Sequence, residues 1–144
     1  MAGFPDLDSS HVLVVDSSVA VKWFKGEDET AVSAALDILW EHQAGESAIF
    51  VPGHFAAEVL NALRYSRLDL HRIHDAAVAL DGFDLVAIPL KRILTEPAVS
   101  LARTYDLTIN DALFPALAML LDAELVTADG AQARVTECRV RLLA

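Results

Sequence analysis

Asp16, Glu58, Asp111 and Asp129 are the residues of this chain best placed to do chemistry, because each acid stands at the edge of an apolar stretch or inside one. Asp16 closes Val12-Leu13-Val14-Val15, Glu58 interrupts Phe55-Ala56-Ala57-Glu58-Val59-Leu60, Asp111 precedes Ala112-Leu113-Phe114, and Asp129 follows Leu125-Val126-Thr127-Ala128. Carboxylates gathered from four distant points repel, by about 1 kcal/mol per close pair in water and roughly 4 in a partly dry site. A cluster of that kind persists when cations neutralise it. All-oxygen ligation selects Mg²⁺ or Mn²⁺, whereas zinc calls for His or Cys. Of the five histidines, only His71 and His74 share helical spacing, and they read as surface residues. The chemistry that fits this set is metal-assisted hydrolysis.

Taken singly, three of the acids have plain structural explanations. Asp16 is placed to cap the next helix, Thr108 and Asp111 have the spacing of a capping box, and Asp129-Gly130 is a common turn pair. Glu58 resists such an account. Its neighbours Ala57, Val59, Leu60, Ala62 and Leu63 make the helix read as buried, where a lone carboxylate is costly. Asn61, three residues on, is placed to orient it by a hydrogen bond. A phosphotransferase using Asp16 as nucleophile is a weaker fit: a second acid is expected two residues later, where Ser18 stands, and no Gly-rich phosphate loop is present.

The elements that must position these acids alternate from end to end. Short apolar runs predict strands at Val12 to Val15, Ala48 to Val51, Leu85 to Ile88, Glu124 to Thr127 and Arg139 to Leu142. Helical patterns lie at Ser17 to Phe24, Glu29 to Gln43, His54 to Ser66, His71 to Leu80, Leu90 to Tyr105 and Ile109 to Leu121, with a short one near Ala131 to Val135. This alternation predicts an α/β domain with a parallel sheet. Asp16 and Asp129 then fall at the carboxyl ends of two strands, and Glu58 and Asp111 in the first turns of helices that start at that same edge.

A chain of 144 residues is one domain's worth, read here as an N-terminal extension over residues 1–11 and a single domain over 12–144. The 11 basic and 21 acidic residues leave a net charge of −10, which argues against nucleic-acid binding through a broad basic surface. Bound cations would supply positive charge where a phosphate must sit. The densest basic stretch, Arg64, Arg67 and Arg72, and the first-helix Lys22 are candidates for phosphate contacts, although a solvated surface role is the simpler expectation for each. The longest uncharged apolar run, Ala112 to Leu121, is ten residues and holds Pro115, whereas a spanning helix needs about 20. Met1 to His11 has neither the basic nor the apolar segment of a leader peptide, so a cytoplasmic location is expected. The lone Cys138 excludes an internal disulfide and reads as a buried apolar residue. A hydrophobic content of 54% suggests that a partner or a second copy covers some of the surface.

Four segments carry a family resemblance. Val14 to Phe24, Val51-Pro52 with Glu58 to Leu63, Leu107-Thr108 with Asp111-Ala112-Leu113, and Leu125 to Asp129 resemble, in order, the successive motifs of PIN-domain ribonucleases, and within them VapC-type toxins. The resemblance spans nearly the whole chain. It implies a three-layer α/β/α sandwich with a short, mainly parallel central sheet, and Mg²⁺- or Mn²⁺-dependent endonucleolytic cleavage of RNA by a metal-activated water. It also implies homodimerisation and inhibition by a small cognate antitoxin. The acidic quartet carried over is Asp16, Glu58, Asp111 and Asp129, with Ser17, Ser18 and Thr127 as polar supports and Asn61 behind Glu58. Two departures stand out: Asn110 replaces a residue commonly aromatic in the family, and Pro115 should loosen the helix beside the third acid. The alternative from another class is a PIN-like module that binds a partner and cuts nothing.

Overall fold

A computed structural model describes residues 11–26 and 31–143. The expected N-terminal extension lies outside the described residues except for His11.

The elements run β1 (Val12–Val15), α1 (Ser17–Phe24), α2 (Val32–Gln43), β2 (Ala48–Pro52), α3 (Phe55–Tyr65), α4 (Leu70–Gly82), β3 (Val86–Ile88), α5 (Arg92–Tyr105), α6 (Ile109–Leu121), β4 (Glu124–Thr127), a 3₁₀ turn (Gln132–Arg134) and β5 (Arg139–Leu142). All strand pairs are parallel, in the order β3-β2-β1-β4-β5. The Val- and Leu-rich β1 and β4 form the middle of the sheet and are buried for nearly their whole length, as strands covered on both faces must be. Helices α1 to α4 pack among themselves, α5 pairs with α6, and α6 lies against β1, β2 and β4. The result is the expected α/β/α sandwich with a parallel sheet.

The edge strand β5 is defended by charge: Arg139 pairs with Asp122 at 3.2 Å and Arg141 with Glu124. Helix α6 is the central helix, with every residue from Ala112 to Ala118 buried. It continues unbroken through Pro115, whose ring leaves the Asp111 carbonyl without its usual intrahelical donor. Thr108 caps its start by accepting the Asp111 N–H at 3.1 Å, and Asp122 ends it in the left-handed conformation.

Two expectations need correction. Cys138 is half-buried, and burial is the main cause that pushes its thiol up to about 11, which leaves it an unreactive thiol. Lys22 is buried at 6% exposure, not a solvated first-helix lysine. Arg64, Arg67, Arg72, His71 and His74 are exposed, as surface residues should be.

Candidate active site

The strand order reverses between β1 and β4: the chain builds outward from β1 through β2 to β3, then returns beside β1 with β4 and continues to β5. Open α/β sheets collect ligands outside the carboxyl ends of the strands at such a switch point. Asp16 directly follows β1, and its N–H donates to the Val126 carbonyl of β4 at 2.9 Å. Asp129 stands two residues beyond β4. Glu58 is in the first turn of α3 and Asp111 in the first turn of α6.

Asp16 is the anchor of the site. It is 1% exposed and caps α1, accepting the Ser18 N–H at 3.3 Å. Its Oδ2 also accepts the Ser18 hydroxyl and, at 3.1 Å, the Thr127 hydroxyl. Its Oδ1 accepts Nε2–H of Gln132 at 3.0 Å. Four donors compensate for the hydration that burial removes. The hydroxyl directions are set by the backbone leaving β4: Ser18 Oγ accepts the Ala128 N–H at 2.9 Å and Thr127 Oγ1 accepts the Asp129 N–H at 3.0 Å. Each hydroxyl thus accepts from the backbone and donates to Asp16. The residue two places on, where a phosphotransferase would be expected to carry a second acid, is Ser18, whose hydroxyl donates to Asp16.

Asp129 also has its expected turn role, since its Oδ1 accepts the Ala131 N–H at 2.9 Å. The turn role leaves Asp129 at the carboxyl edge of the sheet, where its charge reaches Asp111. Glu58 departs from expectation. Only Phe55, Val59 and Leu63 of α3 are buried, while Ala56, Ala57 and Ala62 face solvent, and Glu58 itself is half-buried. Its side-chain partner is Ser17, whose hydroxyl donates at 3.5 Å, near the limit of a hydrogen bond. Asn61 is exposed and lines the cleft beside Glu58 with His54, Ala57 and Asn110, instead of fixing the carboxylate by a hydrogen bond.

Asp111 records the electrostatics of the whole site. Burial pushes its carboxyl up from the ordinary aspartate value, and the charges of Asp16, Glu58 and Asp129 push the same way, against the Thr108 hydrogen bond. The four acids therefore share one electrostatic neighbourhood. Among the described residues, however, no three His, Cys, Asp or Glu side chains stand close enough to make a ready ligand shell. Hard oxygen donors around an uncompensated negative centre suit Mg²⁺ or Mn²⁺, and Mg²⁺ uses one or two carboxylates while keeping several waters. The residues fit such an ion held partly through water.

Two residues of the site carry no warning in the sequence. His54 precedes α3 and its Nε2–H donates to the Asn110 carbonyl at 2.9 Å, joining the helix starts that carry Glu58 and Asp111. Its ring also packs on Phe114, with centroids 5.2 Å apart. Gln132 is the other: its place three residues after Asp129 is the sole local sign. A larger cavity lies at the opposite, amino-terminal edge of β2 and β3, lined by His42, Ser47 and Phe83, away from these acids.

Comparison with known proteins places the architecture. The family described as PIN domain matches residues 13–137. A toxin-antitoxin complex from Klebsiella pneumoniae superposes with a TM-score of 0.66 at 20% identity, covering 92% of this chain and 98% of that one. VapBC2 from Rickettsia felis, bound to a DNA fragment from its promoter, gives 0.65 at 16% identity, with 92% and 99% covered. VapC20 of Mycobacterium tuberculosis, a toxin that cleaves the sarcin-ricin loop, gives 0.63 at 18% identity, with 88% and 98% covered. No curated protein matches the chain by sequence.

Proposed function

The chain belongs to the PIN-domain family, and on that premise we propose that it is a divalent-metal-dependent endoribonuclease, the toxin of a toxin-antitoxin pair, acting through Asp16, Glu58, Asp111 and Asp129. The observation that carries this reading is that the four acids stand at the carboxyl edge of the sheet, where the charges of Asp16, Glu58 and Asp129 all push the Asp111 carboxyl up. Fold neighbours that include a toxin-antitoxin complex and a toxin that cleaves the sarcin-ricin loop support the nuclease activity and the antitoxin partner.

Mg²⁺ or Mn²⁺, when bound, supplies neutralisation of the phosphate charge and acidifies water for attack. Asp16 and Asp111 would hold the ion directly or through water, with Asp129 contributing from the end of β4. Glu58, half-buried at the cleft, would bind the metal or orient the attacking water as its proton acceptor. Ser17, Ser18 and Thr127 keep the carboxylates in place, and Asn61 and Asn110 line the approach to Glu58. A chain of net charge −10 gains affinity for a polyanion chiefly where the cation sits. The exposed Trp40, Tyr65, Leu70 and Val78 offer apolar surface to the antitoxin or to a second copy in a homodimer. Among the described residues no helix is long and apolar enough to cross a membrane.

One observation favours the non-catalytic module, namely that the carboxylates do not form a ready ligand shell. Incubation with single-stranded RNA in Mn²⁺, and in excess EDTA, separates the two. The nuclease reading expects internal cleavage in Mn²⁺ and none in EDTA. Intact RNA in both supports the interaction module, and cleavage in both excludes the metal.

A further inference from the structure

We infer that Gln132 is the positioning residue that fixes the plane of the Asp16 carboxylate for its metal, an inference that rests on the metal-site reading above. Both side chains are 1% exposed, and Gln132 Nε2–H donates to Asp16 Oδ1 at 3.0 Å across 116 residues of sequence. The other donors, the Ser18 N–H, the Ser18 hydroxyl and the Thr127 hydroxyl, all reach Oδ2. Without Gln132, Oδ1 would be a buried carboxylate oxygen with no donor among the described residues. Gln132 supplies that donor and restrains what rotation about Cβ–Cγ the bonds at Oδ2 leave.

The amide faces this way for an electrostatic reason, since the reverse orientation would set its carbonyl oxygen against a carboxylate oxygen. Its own Oε1 is buried without a hydrogen-bond partner among the described residues. A buried unsatisfied polar atom costs roughly 1–3 kcal/mol. Met or Leu would fill similar space without that cost, so packing does not explain a glutamine here. What glutamine adds is the one N–H on Oδ1 among the described residues.

The turn that carries it is built by the fourth acid. Asp129 Oδ1 accepts the Ala131 N–H at 2.9 Å and the Asp129 carbonyl accepts the Ala133 N–H at 3.1 Å, while the Gln132 carbonyl accepts the Val135 N–H at 3.2 Å. Asp129 therefore sets the turn, the turn sets Gln132, and Gln132 sets Asp16. Residues that orient a metal's ligands change its affinity by about 10- to 100-fold when removed.

Calorimetric titration of the whole chain with Mn²⁺ alone tests this, on wild type, Gln132→Met and Gln132→Leu, with folding followed by circular dichroism. Two glutamine variants are carried so that poor folding of one leaves the other to decide. Val135→Ala is the control, because Val135 is a core residue of the same turn, 3% exposed, without a polar side chain. The expected result is that a folded Gln132 variant binds Mn²⁺ at least about tenfold more weakly, while Val135→Ala unfolds at lower temperature with wild-type affinity. Wild-type affinity in the Gln132 variants overturns the inference, and so does an equal loss in Val135→Ala, which would make the effect one of turn stability. If wild type itself takes up no Mn²⁺, the metal reading falls and this inference falls with it.

Discussion

Thr127 binds the first and last acids of the site together through a single oxygen: its hydroxyl donates to Asp16 Oδ2 at 3.1 Å and accepts the Asp129 N–H at 3.0 Å. Thr127 is completely buried, so neither bond can be replaced by solvent. Thr127→Val keeps the shape and removes both. Loss of a buried partner predicts destabilisation of about 1–3 kcal/mol, read as a lower urea midpoint, together with a fall in Mn²⁺-dependent RNA cleavage of at least about tenfold. Thr127→Ser restores the hydroxyl and should recover most of both. A valine variant of wild-type stability and activity would remove Thr127 from the account.

The crowded Asp111 predicts a substitution that stabilises. Its folded-state carboxyl is raised by burial and by the three neighbouring charges, so the folded chain holds this proton to higher pH than the unfolded chain does. Stability then falls as pH rises from the unfolded to the folded value. Asp111→Asn removes that penalty. In metal-free protein it should raise the thermal midpoint by a few degrees near pH 7, with the gain disappearing at pH values below the unfolded range of about 3.9. A gain that is largest in acid would have the wrong sign.

The helix starts bearing Glu58 and Asp111 meet over Phe114, which is fully buried and contacts His54 and Phe55, with ring centroids 5.2 and 6.3 Å away. Phe114→Ala leaves a cavity directly beneath the site. It should cost about 3–5 kcal/mol in chemical unfolding, and a loss below about 1 kcal/mol would mean that the junction collapses freely.

Much of the frame was legible because the local signals agree with the fold. Short apolar runs mark β1 and β4 with their observed bounds, and Asp16 and Thr108 cap α1 and α6 as their sequence context predicts. Burial at the site was less readable. Glu58 looked the most deeply placed because alanines surround it, yet alanine marks inside and outside a helix equally, and three of those alanines face solvent. Asp16 looked easily explained as a cap and is the buried acid, because its enclosure comes from β4 and a turn more than a hundred residues away. Gln132 lay beyond sequence reasoning for the same reason: its partner is set by tertiary packing and by no local period. The inward placement of Lys22 belongs with these.

Asp111→Asn also offers the most direct test of the central claim, that the four carboxylates form one metal site that cuts RNA. The account expects this variant to fold at least as stably as wild type. Its single-turnover cleavage of single-stranded RNA in Mn²⁺ should nevertheless fall by at least about a hundredfold. Cleavage at the wild-type rate by the folded variant would contradict the account.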